Sequence, residues 1–137
     1  MSSSVSALLA DLPALSVVGR LDRLRTALPD SIETMVVSNP TNIRWLTGFT
    51  GSNGVLVVGA DLAVLVTDAR YATQAPEQVE AAGVSVRVGP DLFVLAAELL
   101  ASSPAVGLEA DHVSWSSLRR WQEALSDTDF VLSLIHI

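Results

Sequence analysis

The chain has 137 residues, half of them apolar, with no cysteine and a formal net charge of -7 from 15 acidic side chains against eight basic ones, all arginine. This length suits one domain that buries roughly two-thirds of its unfolded surface, and the missing thiols exclude disulfides and cysteine-ligated metals, in keeping with a cytoplasmic protein. The negative field and the lack of a basic stripe exclude nucleic acid as a partner; no run is long enough to span a membrane, since the strongest, 55–66, is broken by Gly59 and Asp61. The opening MSSSVSALLADL has no Arg or Lys before its short apolar stretch, so no secretory signal is expected.

Val17, Leu21, Leu24 and Leu28 recur at spacings of four, three and four, which predicts a helix over 16–28 with Arg20, Arg23 and Arg25 on its wetter sides. Pro29, Asp30 and Ser31 end it, and 34–37 reads as a buried strand. Asn39-Pro40 is the strongest helix start in the chain. An Asn side chain accepts an orphan amide, and Pro at the first helical position has no amide to leave unpaired. Gly48 ends that helix. The runs 54–59 and 62–67, about a Gly-Ala-Asp turn, predict an antiparallel hairpin. Neither run alternates, so the hairpin is expected to be central and covered on both faces.

Asp68 is expected to cap a helix running to about Ala82, kinked or interrupted at Pro76 and leaving at Gly83. Val84, Val86 and Val88 alternate with polar residues as a half-exposed strand, followed by a helix over 91–101 striped by Leu92, Leu95, Ala96, Leu99 and Leu100. A short strand is expected over 106–109. Ser114 then caps a helix with Trp115, Leu118, Gln122 and Leu125 on one side and Trp121 beside it, and 130–134 supplies a last strand. With no repeat and no linker, this order predicts an α/β domain, a mixed β-sheet flanked by helices.

The least ordinary stretch is NPTNIRWLTGFTGSNG, 39–54, where Gly48, Gly51 and Gly54 are surrounded by small hydrogen-bonding side chains. It reads either as a turn into a buried hairpin or as a pocket-lining loop; its spacing is not a dinucleotide fingerprint, and a phosphate loop needs a Lys that the chain lacks. Asp68, Arg70 and Tyr71 stand where a buried strand gives way to a helix, either as a cap with a local ion pair or with Arg70 reaching for a carboxylate. Glu109, Asp111 and His112 carry metal-capable atoms but share one strand end and turn without a second cluster, so His112 is read as a surface or partly packed side chain. Asp111, His112 and Ser114 lie too close in sequence to act as a nucleophilic triad. Trp45, Trp115 and Trp121 read as core or interface anchors. No catalytic residue is assigned.

The stretch 39–54, the hairpin and TDARY, 67–71, resemble the N-terminal domain of the creatinase, prolidase and Xaa-Pro aminopeptidase family. The usual pattern there is N-I-x-Y-L-T-G-F-x-G-S, a strand pair, then D-x-R-Y. RLDRLRTAL before it and VGLEADHVSWSSLRRW after it extend the resemblance over 16–130, with Trp45 where Tyr is commoner and Ala69 where Gly is commoner. The resemblance implies the creatinase/prolidase N-terminal fold, with a ribonuclease H-like motif, ahead of a C-terminal pita-bread domain of the same polypeptide. In relatives that second domain holds two divalent metal ions, manganese or cobalt, through Asp, Asp, His, Glu and Glu, and a bridging water attacks the peptide bond before proline. None of those ligand motifs occurs in this sequence.

For this chain the resemblance implies a non-catalytic domain that supports homodimerisation and the substrate entrance, with Phe49, Thr50, Ser52, Asn53 and Arg70 as groups that position a peptide substrate. TGFTGS with TDARY is most like the bacterial Xaa-Pro aminopeptidases. A prolidase or creatinase parent, or a freestanding binding domain acting through the loop 48–54 and an apolar face, are the alternatives. The closing LSLIHI resembles a spurious tail found on truncated gene models, so 1–132 is taken as the domain and 133–137 as a non-native tail.

Overall fold

A computed structural model describes residues 16–135 and Ile137. The chain runs α1 (Arg20–Ala27), β1 (Thr34–Val37), α2 (Pro40–Thr47), β2 (Gly54–Val58), β3 (Ala63–Thr67), α3 (Gln74–Val79), β4 (Ser85–Val88), α4 (Leu92–Leu100), β5 (Ala105–Glu109), α5 (Trp115–Ala124) and β6 (Asp129–Ser133). The Val- and Leu-rich segments form one mixed sheet of six strands in the order β4-β3-β2-β1-β5-β6. The hairpin β2–β3 and the pair β1–β2 are antiparallel, whereas β3–β4, β1–β5 and β5–β6 are parallel.

The two-residue period of a strand divides these side chains between two cores. Met35, Val37, Leu56, Val58 and Leu65 lie under α1, α2 and α3 with Leu21, Leu24, Ile43, Leu46 and Val79. Val36, Val57, Val106 and Leu108 lie on the opposite face under Ala96 and Leu100 of α4 and Trp121 of α5. Cover on both faces is the reason that neither hairpin strand alternates, as expected of strands in the second and third places of the sheet. No helix among the described residues is long and apolar enough to cross a membrane.

Four helices begin where a side chain accepts a backbone amide: Asn39 from Thr41 N–H at α2, Asp91 from Val94 N–H at α4, Ser114 from Ser117 N–H at α5, and Asp68 from Arg70 N–H at a short 3-10 turn. Other boundaries differ from expectation. Helix α1 begins at Arg20, because Gly19 takes a left-handed φ of 83° and leaves Val17 outside. Arg20, expected on a wet side, is 7% exposed: its guanidinium lies 3.5 Å from the centre of the Trp45 ring and donates to the Trp45 carbonyl at 2.7 Å. Arg25 likewise donates to the Gly59 carbonyl at 2.8 Å, tying α1 to the hairpin turn.

The single helix expected after Asp68 is broken into a 3-10 turn (Ala69–Tyr71), α3 and a second 3-10 turn (Glu80–Ala82), with Gly83 as the exit at φ 73°. Pro76 lies in the first turn of α3, where its missing N–H has no helical acceptor to lose, so the break falls upstream of it. In α5 the buried side carries Leu118, Trp121 and Leu125, while Trp115 is 70% exposed. Trp121 packs instead against Phe93, with ring centres 4.3 Å apart, and towards Phe130. Ser133 closes β6, its carbonyl accepting from Ala110 N–H, and Ile135 and Ile137 pack on the α1 side.

Candidate positioning site at one end of the sheet

The hairpin pairs Gly54 with Thr67, which brings the segment before β2 beside the segment after β3. The candidate residues gather there. Gly48 ends α2 at φ 84°, and the Thr47 hydroxyl accepts the Phe49 N–H while donating to the Ile43 carbonyl. The chain then folds over Phe49, whose ring is 2% exposed and meets Tyr71 edge-on at 5.3 Å. Gly51 lies directly on this ring, and a Cβ there would overlap it. Phe49 is therefore the support of the loop, while its neighbours form the outer surface.

Each outer residue is held by a named partner. Thr50 N–H donates to Gln78 Oε1 at 3.1 Å, and its hydroxyl accepts from Gln74 at 3.1 Å and Gln78 at 2.9 Å, which fastens the loop to α3. Ser52 N–H donates to the Tyr71 hydroxyl at 3.1 Å, and the two hydroxyls lie 2.8 Å apart. Asn53 Nδ2 donates to Asp68 Oδ2 at 2.8 Å, and its carbonyl accepts from the Thr67 hydroxyl at 2.6 Å. Arg70 grips the same carboxylate with Nε at 3.0 Å and a terminal nitrogen at 2.9 Å, yet its side chain remains 67% exposed against 17% for Asp68. The structure thus brings all five predicted residues to one place, with Asp68 as the pivot.

Charge-assisted bonds from Arg70, then the Asn53 amide, hold the Asp68 carboxyl well below the usual carboxylate range. Arg70 is raised in return by Asp68, and the Tyr71 phenol is lowered by its bonds with Ser52. A carboxyl with a folded value below its unfolded one binds fewer protons folded than unfolded. Its stabilisation is complete above the ordinary value of about 4 and drains away as pH falls below it towards the folded value. The melting-temperature gap between the wild-type chain and Asp68→Asn is therefore expected at neutral pH and should narrow progressively as pH falls below about 4. A gap that stays constant across that range would show that Asp68 is not ionised in the cluster.

Glu109 was expected only as a strand-end group, and its structural role is larger. It is 7% exposed at the end of β5, and one carboxylate oxygen accepts Ser38 N–H at 2.6 Å and Asn39 N–H at 2.9 Å while the other accepts the Asn42 amide at 2.6 Å. It thereby fixes the junction between β1 and α2. The signal in the sequence is a lone carboxylate closing an apolar strand, which must find donors to be buried. Asp111 and His112 are exposed beside it.

Chemically, this sheet end offers one exposed guanidinium among hydroxyl and amide groups, suited to holding a carboxylate or peptide carbonyl. Among the described residues no group of three or more His, Cys, Asp or Glu side chains could hold a metal ion, so they do not fit a two-metal centre. Residues 20–133 match the model of the Creatinase/Prolidase N-terminal domain. The chain belongs to this family. The family fold is the mixed sheet with helices on its faces described above. YqhT, an uncharacterized peptidase of Bacillus subtilis, is 30% identical over 82% of this chain and 32% of its own length. Aminopeptidase P1 of Lotus japonicus is 29% identical over 78% of this chain and 17% of its own. The chain thus spans about a third or less of these curated relatives. Among solved structures, the N-terminal domain of the cytoplasmic peptidase PepQ of Mycobacterium tuberculosis superposes with a TM-score of 0.71 at 32% identity, covering 83% of this chain and 89% of that one.

Proposed function

We propose that this chain is the non-catalytic N-terminal domain of a Xaa-Pro aminopeptidase, in which a C-terminal pita-bread domain of the same polypeptide hydrolyses the bond before proline. The observation that carries this is the sheet end itself: positioning groups locked onto Asp68 and Gln78, with no group of three or more metal-capable side chains among the described residues. The name of the Lotus japonicus relative favours aminopeptidase action, and PepQ is described as cytoplasmic, where we place this protein too. Two divalent ions, manganese or cobalt, would be held by the C-terminal domain; the residues here would supply none of their ligands. The N-terminal domain supports homodimerisation and borders the substrate entrance. There Thr50, Ser52, Asn53 and Arg70 orient a peptide from a loop supported by Phe49.

The test is the polypeptide extended through the C-terminal domain, assayed on a longer Xaa-Pro peptide, a Xaa-Pro dipeptide and creatine. Release of the N-terminal residue from the longer peptide should be fastest. Preference for the dipeptide would make the parent a prolidase, and turnover of creatine a creatinase; either overturns the aminopeptidase assignment. In the same protein Arg70→Ala should raise KM about tenfold with little change in kcat, because a group that holds the peptide equally in ground and transition states contributes uniform binding.

A further inference from the structure

Beside Asn53 the same sheet end opens into a cleft of about 440 Å³, which Phe49, Thr50, Ser52 and Arg70 do not border. Its place follows from the topology. The chain leaves β1 towards β2 on one side and later returns to β5 on the other, so the parallel pair β1–β5 is a switch point, where open α/β sheets leave a crevice beyond their strand ends. Val55 and Leu108 floor it, the tilted pair of rings of Phe93 and Trp121 walls it, and Ser114 and Ser117 join Asn53 at polar positions.

Its electrostatics narrow the ligand. No Lys or Arg lines the cleft, and its carboxylate, Glu109, is already engaged by two backbone amides and the Asn42 side chain. His112 also lines the neighbouring cavity and so stands on the ridge between them. An anionic group entering the cleft would lose water and meet the Glu109 carboxylate with no counter-ion, whereas an apolar side chain would meet Val55, Leu108 and two aromatic rings. The hydroxyls and the amide suit the peptide groups on either side of such a residue. The volume lies within the range of ligand sites and exceeds a single side chain, leaving room for that backbone.

We propose that this cleft is a subsite for one uncharged apolar side chain, of leucine or phenylalanine size, of the peptide substrate; the proposal rests on the aminopeptidase reading above. The chain carries its own probes, since the Trp121 indole lines the cleft whereas Trp45 and Trp115 do not. Titrating the 137-residue chain with the amides of Ala-Pro-Phe, Ala-Pro-Asp and Ala-Pro-Gly should shift the Trp121 indole N–H resonance with the Phe peptide, at a Kd of about 1 mM. The Asp and Gly peptides should bind about tenfold more weakly or not at all, with the Trp45 and Trp115 resonances unmoved. Ser117→Phe, which fills the cleft from an exposed position, should abolish the shift, and Val113→Phe serves if that variant does not fold. No Trp121 shift with the Phe peptide up to about 10 mM, equal shifts with all three peptides, or a shift that survives in both filled variants would overturn the subsite. If the extended polypeptide cleaves Ala-Pro peptides while Trp121 stays still, the subsite alone falls. If Trp121 shifts and the extended polypeptide has no Xaa-Pro activity, the substrate assignment falls.

Discussion

Replacing Phe49 by alanine should lower the stability of the domain by about 3–5 kcal/mol, the range for emptying a buried aromatic site. The ring belongs to the larger core, with Leu56, Leu65 and Val79, and it also carries the loop: Tyr71 meets it edge-on and Gly51 rests on its face. Alanine would leave a cavity under both, and the bonds between Ser52 and Tyr71 would lose the platform that sets their geometry. Phe49→Leu should cost roughly half as much, because it restores apolar volume without the flat contact to Gly51. Urea denaturation of the two variants measures the difference. A loss below about 1 kcal/mol for alanine would show that the ring is not the support of the loop.

The second large effect is expected at Glu109. Glu109→Ala removes the acceptor of Ser38 N–H, the Ser38 hydroxyl, Asn39 N–H and the Asn42 amide at once, leaving four donors without that partner at the junction of β1 and α2. Unsatisfied buried donors cost about 1–3 kcal/mol each, and relaxation towards water returns part of that, so a total near 3 kcal/mol is expected. Glu109→Gln should cost less, about 1–2 kcal/mol, because one oxygen still accepts while the new amide meets another donor. The pair is informative together. Equal losses for Ala and Gln would mean that the negative charge dominates; a near-neutral Ala would mean that the junction finds water instead.

What was legible in the sequence is what local chemistry determines. Asn39-Pro40, Asp91 and Ser114 each start a helix with their own side chain, and Gly48 and Gly83 each end one, because caps act within a few residues. The hairpin was also legible, and with it much of the candidate site. Antiparallel pairing of 54–58 with 63–67 necessarily places Ser52 and Asn53 near Asp68 and Tyr71. Contacts between distant segments were not legible. Arg20 looked exposed because its cover, Trp45, lies 25 residues away, and Glu109 finds its donors about 70 residues upstream. In α5 the periodicity put Trp115 and Gln122 on the inward side with Leu118 and Leu125 and left Trp121 beside them, but Trp115 and Gln122 are exposed, and Phe93, from another helix, decides for Trp121. The cleft at the switch point depends on β1 and β5 lying parallel, a pairing for which no short stretch of sequence carries a signal.

The measurement that tests the central claim most directly compares this 137-residue chain with the polypeptide extended through the C-terminal domain, on one Ala-Pro peptide with added manganese or cobalt. The account predicts that this chain, folded and monodisperse, gives no turnover, and that the extended polypeptide releases the N-terminal alanine. Turnover by this chain alone, or an extended polypeptide that folds and binds metal yet leaves the peptide intact, would contradict it.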